Sequence, residues 1–251
     1  MKGNLLCKWR SSHFFITVAL ILAVLLLLIL PGCARLGPIE PVSSDVHEEI
    51  DARCRAHFLD RPWQLVQAVT VYLPNGEVRN AIGVTNVFPE QKRINCVIMS
   101  LEGIVLFDGV YDQQIKIRKA VPPFDAQRFA ATLFDDIRLV FFSPNSSADA
   151  QAAETGMISS GVPVCRYEQN GGGFVEILFK RDGLREIRRY SGRKKHVITV
   201  DACYDRHCSR QGVKITGEIP ATLTIYHHGL VDYRLELTLI EAKILAPEKA
   251  K

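Results

Sequence analysis

The hydrophobic positions of this chain change their spacing several times, and each change marks a predicted element. The first regular spacing lies between residues 45 and 58, where an apolar residue recurs every four positions, as on one face of a helix. The stripe consists of Val46, Ile50, Cys54 and Phe58. Asp45 and Glu48 stand at capping-box spacing. These features predict an amphipathic helix of about three to four turns.

The chain then takes up the short, β-branched and aromatic-rich pattern of strands. The segments of the first half are 67–73, 77–88, 93–101, 104–112 and 113–119. Those of the second half are 172–192 (two strands around an Asp-Gly turn), 196–203, 213–219, 221–229 and 232–244. Their short spacing predicts an antiparallel meander of about ten strands.

A second predicted helix interrupts the strands at residues 125–142. Its apolar stripe consists of Phe129, Leu133, Ile137 and Phe141, each four residues apart. Phe134 and Val140 widen this face, which predicts a deeply packed helix. The segment 143–156 that follows is polar and rich in small residues, and it predicts a surface loop.

Together these elements predict a mainly β fold with two helices. A sheet of about ten strands must curl or close, and an apolar helix needs a curved β surface to cover. The predicted architecture is therefore a curved antiparallel half-barrel with the helices across its open side.

The N-terminus reads as an export segment. A basic leader without acidic residues precedes an apolar run of 17 residues from Phe14 to Leu30. The sequence Leu30-Pro31-Gly32-Cys33 that follows resembles the bacterial lipoprotein signal, in which the cysteine after the cut carries the lipid. Pro31 keeps the cleavage segment extended. The alternative is an uncleaved membrane anchor, and both place the rest of the chain across the inner membrane.

This interpretation divides the chain into a signal peptide (1–32), a lipidated tether (33–44) and one domain (45–251). Ala34 after Cys33 favours, by family analogy, sorting to the outer membrane, with the domain facing the periplasm. Removal of 32 of the 251 residues leaves 219, enough for one sizeable core. The net charge of +4 falls to about +1 without the three leader cations, so charge gives no case for nucleic acid.

Five cysteines remain in the predicted domain. An oxidising periplasm permits disulfides, and Cys203 with Cys208 can close a small loop. Cys54, Cys96 and Cys165 cannot all pair with one another, so at least one is expected to be a buried thiol. Their pairing stays open.

The sequence lacks the patterns of a catalytic or metal site. No Gly-x-Ser-x-Gly or His-Glu-x-x-His motif is present. The densest reactive cluster, residues 196–208, holds one Cys pair with a spacing that suits a disulfide better than zinc. We therefore expect no enzyme, no cofactor and no metal.

The order of elements resembles the LolA/LolB lipoprotein-carrier fold, an incomplete barrel with a helical lid over an apolar cavity. The matching segments are RINCVIMSLEGIVLFDGVYDQQIKI and the lid-like PPFDAQRFAATLFDDIRLVFF. The C-terminal IPATLTIYHHGLVDYRLELTLIEAKI resembles the closing hairpin of a related, largely uncharacterised family of Gram-negative lipoproteins. The resemblance implies a membrane-tethered protein that binds or transfers a lipid-like or acylated ligand. It also implies membrane contact by an apolar hairpin tip, which matches Leu101 here.

Large apolar residues are the candidates for lining a ligand cavity. They are Phe88, Ile98, Leu106, Phe107, Phe129, Leu133, Phe134, Phe141 and Phe179. The alternative is that they fill a core, as in small barrels. In that case the protein is a structural or assembly lipoprotein, which would contact an envelope protein through the loop 143–156 or the basic hairpin 188–196.

Overall fold

A computed structural model describes residues 36–73, 75–144, 153–169, 171–193, 195–208, 217–228 and 233–246. The described residues belong to one compact unit. The predicted signal peptide, Cys33 and Pro31 lie outside them.

The described strands are β1 (Trp63–Tyr72), β2 (Val78–Phe88), β3 (Arg93–Met99), β4 (Val105–Asp112), β5 (Gln114–Ala120), β6 (Glu154–Met157), β7 (Pro163–Gln169), β8 (Gly173–Phe179), β9 (Leu184–Tyr190), β10 (His196–Cys203), β11 (Thr222–His227) and β12 (Tyr233–Ile244). The helices are α1 (Ser44–Arg55) and α2 (Gln127–Phe141), and a short 3-10 helix spans Arg206–Cys208. Neither α1 nor α2 has the length and apolar character needed to cross a bilayer.

The twelve described strands form one antiparallel sheet in the order β5-β4-β3-β2-β1-β12-β11-β10-β9-β8-β7-β6. Consecutive strands pair with each other except β5 and β6, which lie at the two edges of the sheet. Strand β1 also pairs with β12, which joins the two halves of the meander. The order begins at β5 and ends at β6, and the sheet is therefore open. The predicted mainly β fold with two helices is confirmed.

One face of the sheet, here called the inner face, carries the hydrophobic core. Because paired residues of antiparallel strands point to the same side, the register places Leu65, Val87, Ile94 and Phe107 on this face. All four are buried. Helix α1 packs against β6 and β7, and α2 packs against β5 and the core, so the helices cover the inner face.

A disulfide attaches α1 to the sheet. The structure pairs Cys54 with Cys165 of β7, with Cα atoms 6.0 Å apart. Cys203 and Cys208 form a second disulfide across 6.1 Å. Cys96 is the buried free thiol among the described cysteines.

Part of the predicted tether is bonded to the sheet. Glu40 forms a two-way backbone bridge with Met157, and Arg166 donates to the Gly37 carbonyl at 2.5 Å. Gly156 permits this approach, since a Cβ there would lie 2.5 Å from Ile39 and from the Glu40 carbonyl. Residues 37–40 thus lie along the β6 edge of the sheet.

Several sequence predictions for local structure are wrong. Residues 154–157, predicted as loop up to 156, form β6, and β7 was not predicted. Of the predicted strand 213–219, the described residues 217–219 form bends instead. The helix α1 begins at Ser44 after an N-cap, Ser43, that makes no side-chain cap bond, so the capping box at Asp45 does not form.

Candidate functional site

Seven of the nine predicted cavity residues belong to the core beneath the helices. They are Ile98, Phe107, Phe129, Leu133, Phe134, Phe141 and Phe179. In α2 the buried line passes through Ala130, Phe134 and Val140, while Phe129 and Leu133 are only partly buried.

The other two predicted cavity residues lie outside this core. Phe88 pairs with Arg93, whose guanidinium lies 4.3 Å from the ring centroid. Its neighbour Val87 occupies the inner face, which assigns Phe88 to the outer side. Leu106 precedes the inner-face residue Phe107 next to a register shift. Periodicity alone did not show which residue of each apolar pair would point inward.

Aromatic rings fill the space between α2 and the first half of the sheet. The ring of Phe107 lies 5.4 Å from that of Phe129 and 6.2 Å from that of Phe134, between centroids. Gly109 makes room for them, because a Cβ at that position would lie 2.6 Å from the Phe107 ring. The apolar candidates are thus in contact with one another in this conformation.

Polar contacts hold α2 to the second half of the sheet. Arg189, on the inner face of β9, donates to the carboxylate of Asp135. The Nε2 of His227 on β11 lies 2.9 Å from Asp136 Oδ2, and the His227 ring stacks on Tyr233 at 4.3 Å between centroids. Two adjacent aspartates of α2 therefore contact two strands of the sheet, β9 and β11.

These contacts leave buried polar atoms unsatisfied. Asp136 is only 4% exposed, and its Oδ1 has no hydrogen-bond partner; neither does the Nε of Arg189. Burial raises the pKa of Asp136, while its bond to His227 and the charges of His227 and Arg189 oppose that rise. Buried polar groups in a permanent core are nearly always satisfied. The desolvation of these two atoms therefore opposes the packing of α2, and contact with water would remove that free-energy cost if the helix moved away.

A second arginine lies on the same face of β9, four residues before Arg189. Arg185 is partly exposed and sits beside buried His57 and Tyr204, at the end of the inner face where β9 begins. The sequence placed Arg189 in the predicted basic hairpin 188–196 and gave no prediction for Arg185. Both faces of β9 mix charged and apolar residues, so the alternation in LREIRRY does not reveal which face is buried.

The predicted membrane-contact residue, Leu101, is 63% exposed at the β3–β4 turn. Ile104, in the same turn, is 62% exposed and was not predicted. The turn is closed by backbone bonds between Ser100 and residues 103 and 104. It therefore presents two large apolar side chains on an ordered loop.

A recess of about 230 Å³ lies at the C-terminal end of α2. It is lined by Leu59, Asp60, Pro89, Glu90, Lys92, Phe142 and Ser143. None of the nine cavity candidates lines it. Within the described parts of the chain, no three His, Cys, Asp or Glu side chains come together to hold a metal ion.

No family model matches the chain, and no curated protein matches it. Similar solved structures include an outer membrane lipoprotein-sorting protein domain from Vibrio parahaemolyticus, at 10% identity and a TM-score of 0.47, covering 82% of this chain and 95% of that one. A LolA superfamily protein from Nitrosomonas europaea matches at 8% identity and 0.47, covering 80% and 94%. A DUF1329 family protein from Desulfovibrio piger matches at 10% and 0.48, covering 82% and 94%.

Proposed function

We propose that this protein is a non-enzymatic envelope lipoprotein that binds or passes on a lipid-like or acylated ligand between α2 and the inner face. The observation that supports the proposal is that the interface between α2 and the inner face combines apolar packing with poorly satisfied polar groups. Apolar rings lie on both sides of it, yet the polar atoms that close it are incompletely satisfied. Such an interface separates at lower cost than a fully satisfied core.

In this proposal α2 is a lid. The rings of Phe107, Phe129 and Phe134 would contact the apolar part of a ligand when the lid is displaced. Burial of that apolar part would supply roughly 25 cal/mol per Å². Asp136 and His227 would regain water on opening.

The lid is tested with a variant that stabilises α2 in its closed position. Replacing Asp136 and His227 together with Leu removes the buried polar pair without leaving either partner alone and adds apolar contact, so the closed form should become more stable. Labelling of the full-length protein by a diazirine-bearing hexadecanol should then fall about tenfold on peptides of α2 and the inner face. Glu48→Leu, an acid-to-leucine change on the exposed side of α1, is the matched control and should label like the wild type.

Wild-type labelling confined to the hairpin tip and other exposed surfaces would contradict the lid. It would favour the second candidate, a structural or assembly lipoprotein in which side chains fill the space between the sheet and α2. The observation in its favour is that the aromatic candidates contact one another in the present conformation. Crosslinking to an envelope protein through residues 188–196 would be its positive signature.

The membrane attachment is a separate part of the proposal. A lipid on Cys33 would tether the domain to the outer membrane, and Leu101 with Ile104 would touch a bilayer. Incorporation of a labelled fatty acid into the wild type, and its loss in Cys33→Ser, tests the tether directly. Equal incorporation in both would contradict it.

A further inference from the structure

Arg185 occupies an unusual place for a cation. Its strand register pairs it with Ala202 and Phe179, both buried residues of the inner face. Its Nη1 donates to His57 Nδ1 at 3.2 Å, and its guanidinium carbon lies 3.8 Å from the Tyr204 ring centroid. The side chain is partly exposed, so solvent and solutes can reach it.

Among the described residues, no carboxylate lies within ion-pair distance of Arg185. Burial lowers the pKa of its guanidinium, Tyr204 opposes that shift, and Arg53 adds to it by repulsion. The Arg53 guanidinium approaches the other inner-end ring, Phe179, at 4.8 Å, while Arg185 approaches that ring at 5.8 Å. Two cations therefore approach one aromatic ring, and of the two only Arg53 has a described carboxylate nearby, Glu49 at 4.0 Å.

Other arginines of the described structure have the carboxylate partner that Arg185 lacks. Arg118, Arg166 and Arg189 each donate to a carboxylate. The cost of desolvating a cation beside a second cation is ordinarily offset by such a partner. Arg185 has aromatic contacts in its place, which compensate only part of that cost.

His57 contributes an unpartnered donor to the same cluster. It is 2% exposed, and burial followed by the charge of Arg185 lowers its pKa from 6.5 to about 3, so the ring is neutral at physiological pH. Since Nδ1 accepts from Arg185, the ring proton resides on Nε2. That nitrogen is buried and has no hydrogen-bond partner.

We propose that Arg185 and Arg53 bind the anionic group of an amphiphilic ligand, a carboxylate or a phosphate, at this end of the inner face. A guanidinium is suited to both groups because its N–H donors match their oxygens in pairs. The apolar residues Phe179, Ile177 and Ile187 adjoin Arg185 on the inner face and would contact the chain of the ligand. This inference rests on the function proposed above and specifies its ligand class.

The test compares two photoreactive probes that differ only in charge. Full-length protein in non-ionic detergent is labelled with diazirine-bearing hexadecanoic acid, ionised at the pH used, or with the hexadecanol of the same length. The wild type should take up the acid about tenfold more than the alcohol, the effect of one charge-assisted bond. Arg185→Gln should reduce acid labelling to the alcohol level, while Arg185→Lys, which keeps the charge, should retain part of the preference.

Arg118→Gln is the matched control, because Arg118 is exposed and bonded to Asp108. It should keep the full preference for the acid. Unlabelled hexadecyl phosphate should compete with the acid probe, and inorganic phosphate at equal concentration should not. Displacement by inorganic phosphate would overturn the amphiphilic part of the proposal.

The outcomes separate this inference from the proposed function. Equal labelling by acid and alcohol in the wild type would overturn the anion site and leave the lid proposal standing. A wild-type preference that survives Arg185→Gln would overturn the role of Arg185. Absence of inner-face labelling by both probes would contradict the proposed function itself.

Discussion

The two helices cover the same face of one sheet but are attached to it by different chemistry. Helix α1 is linked covalently through Cys54–Cys165, and the buried Tyr167 hydroxyl lies 3.5 Å from the Cys54 carbonyl. Helix α2 is held by aromatic packing and by the contacts of Asp135 and Asp136, with buried polar atoms left over. A fixed helix and a releasable helix can therefore share one core.

The arginines of β9 follow the same division. Arg189 is neutralised by α2, so its free charge would appear only when that helix departs. Arg185 lies beside His57, just beyond α1, and no described carboxylate lies within ion-pair distance of it. If the sheet binds an anionic amphiphile, Arg185 would be available near α1 without any movement. Apolar surface would become exposed only near α2, when that helix is displaced.

The largest expected effect concerns the attachment of α1. Replacing Cys54 and Cys165 together by Ala should lower the free energy of unfolding by about 5 kcal/mol, because the bond spans 111 residues of the unfolded chain. Urea denaturation of the full-length protein measures it. The Cys203→Ala and Cys208→Ala pair is the control: a separation of 5 predicts about 2 kcal/mol. Equal losses for the two pairs would show that α1 does not depend on its link.

The second prediction concerns the polar attachment of α2. His227→Leu leaves the buried Asp136 carboxylate without its 2.9 Å partner and should cost about 3 kcal/mol. The double variant Asp136→Leu with His227→Leu removes both polar groups and should be at least as stable as the wild type. Urea midpoints of the wild type, both single variants and the double variant form a complete cycle. Additive losses would mean that the two residues do not act as a pair.

Much of the fold could be predicted because it depends on local pattern. Alternation and turns at fixed spacing revealed most strands, and the stripes revealed both helices. The strands β6 and β7 were missed because polar residues interrupt their apolar pattern. In β7, Arg166 is buried against Glu176 of the next strand, and Cys165 is bonded to Cys54 of α1. A buried arginine makes such a strand look like a surface segment.

The candidate site was less accessible to sequence reasoning. Seven of the nine large apolar candidates belong to the core, because large apolar residues cluster in any core, but Phe88 and Leu106 lie outside it. The polar groups Asp136, His227 and Arg185 gave no signal. Their significance comes from burial and from partners they lack, which a linear pattern does not contain.

The third prediction uses the neutral histidine at the fixed end. The pKa of His57 is about 3 in the folded protein and 6.5 when unfolded, so below pH 6.5 the unfolded chain binds a proton that the folded chain does not. The free energy of unfolding should therefore fall as the pH falls through this window, by about 2 kcal/mol between pH 7.5 and 5. Urea denaturation at the two pH values should show this loss in the wild type, and the loss should be smaller by about that amount in His57→Gln.

The control for that measurement is His207→Gln, because the His207 side chain is 90% exposed. It should keep the wild-type pH dependence. An identical dependence in His57→Gln would contradict the assignment of the neutral state to His57.

The smallest effect on stability is expected at the β3–β4 turn, far in sequence from both helices. Leu101→Glu and Ile104→Glu change side chains that are 63% and 62% exposed, so unfolding free energies should stay within about 0.5 kcal/mol of the wild type. Photolabelling of residues 100–104 by a diazirine phospholipid in reconstituted vesicles should nevertheless fall about tenfold, since a carboxylate does not enter the acyl region. Leu184→Glu, at a large apolar residue that is 38% exposed on β9, should leave this labelling unchanged. If the turn variants label like the wild type, the tip does not touch the membrane.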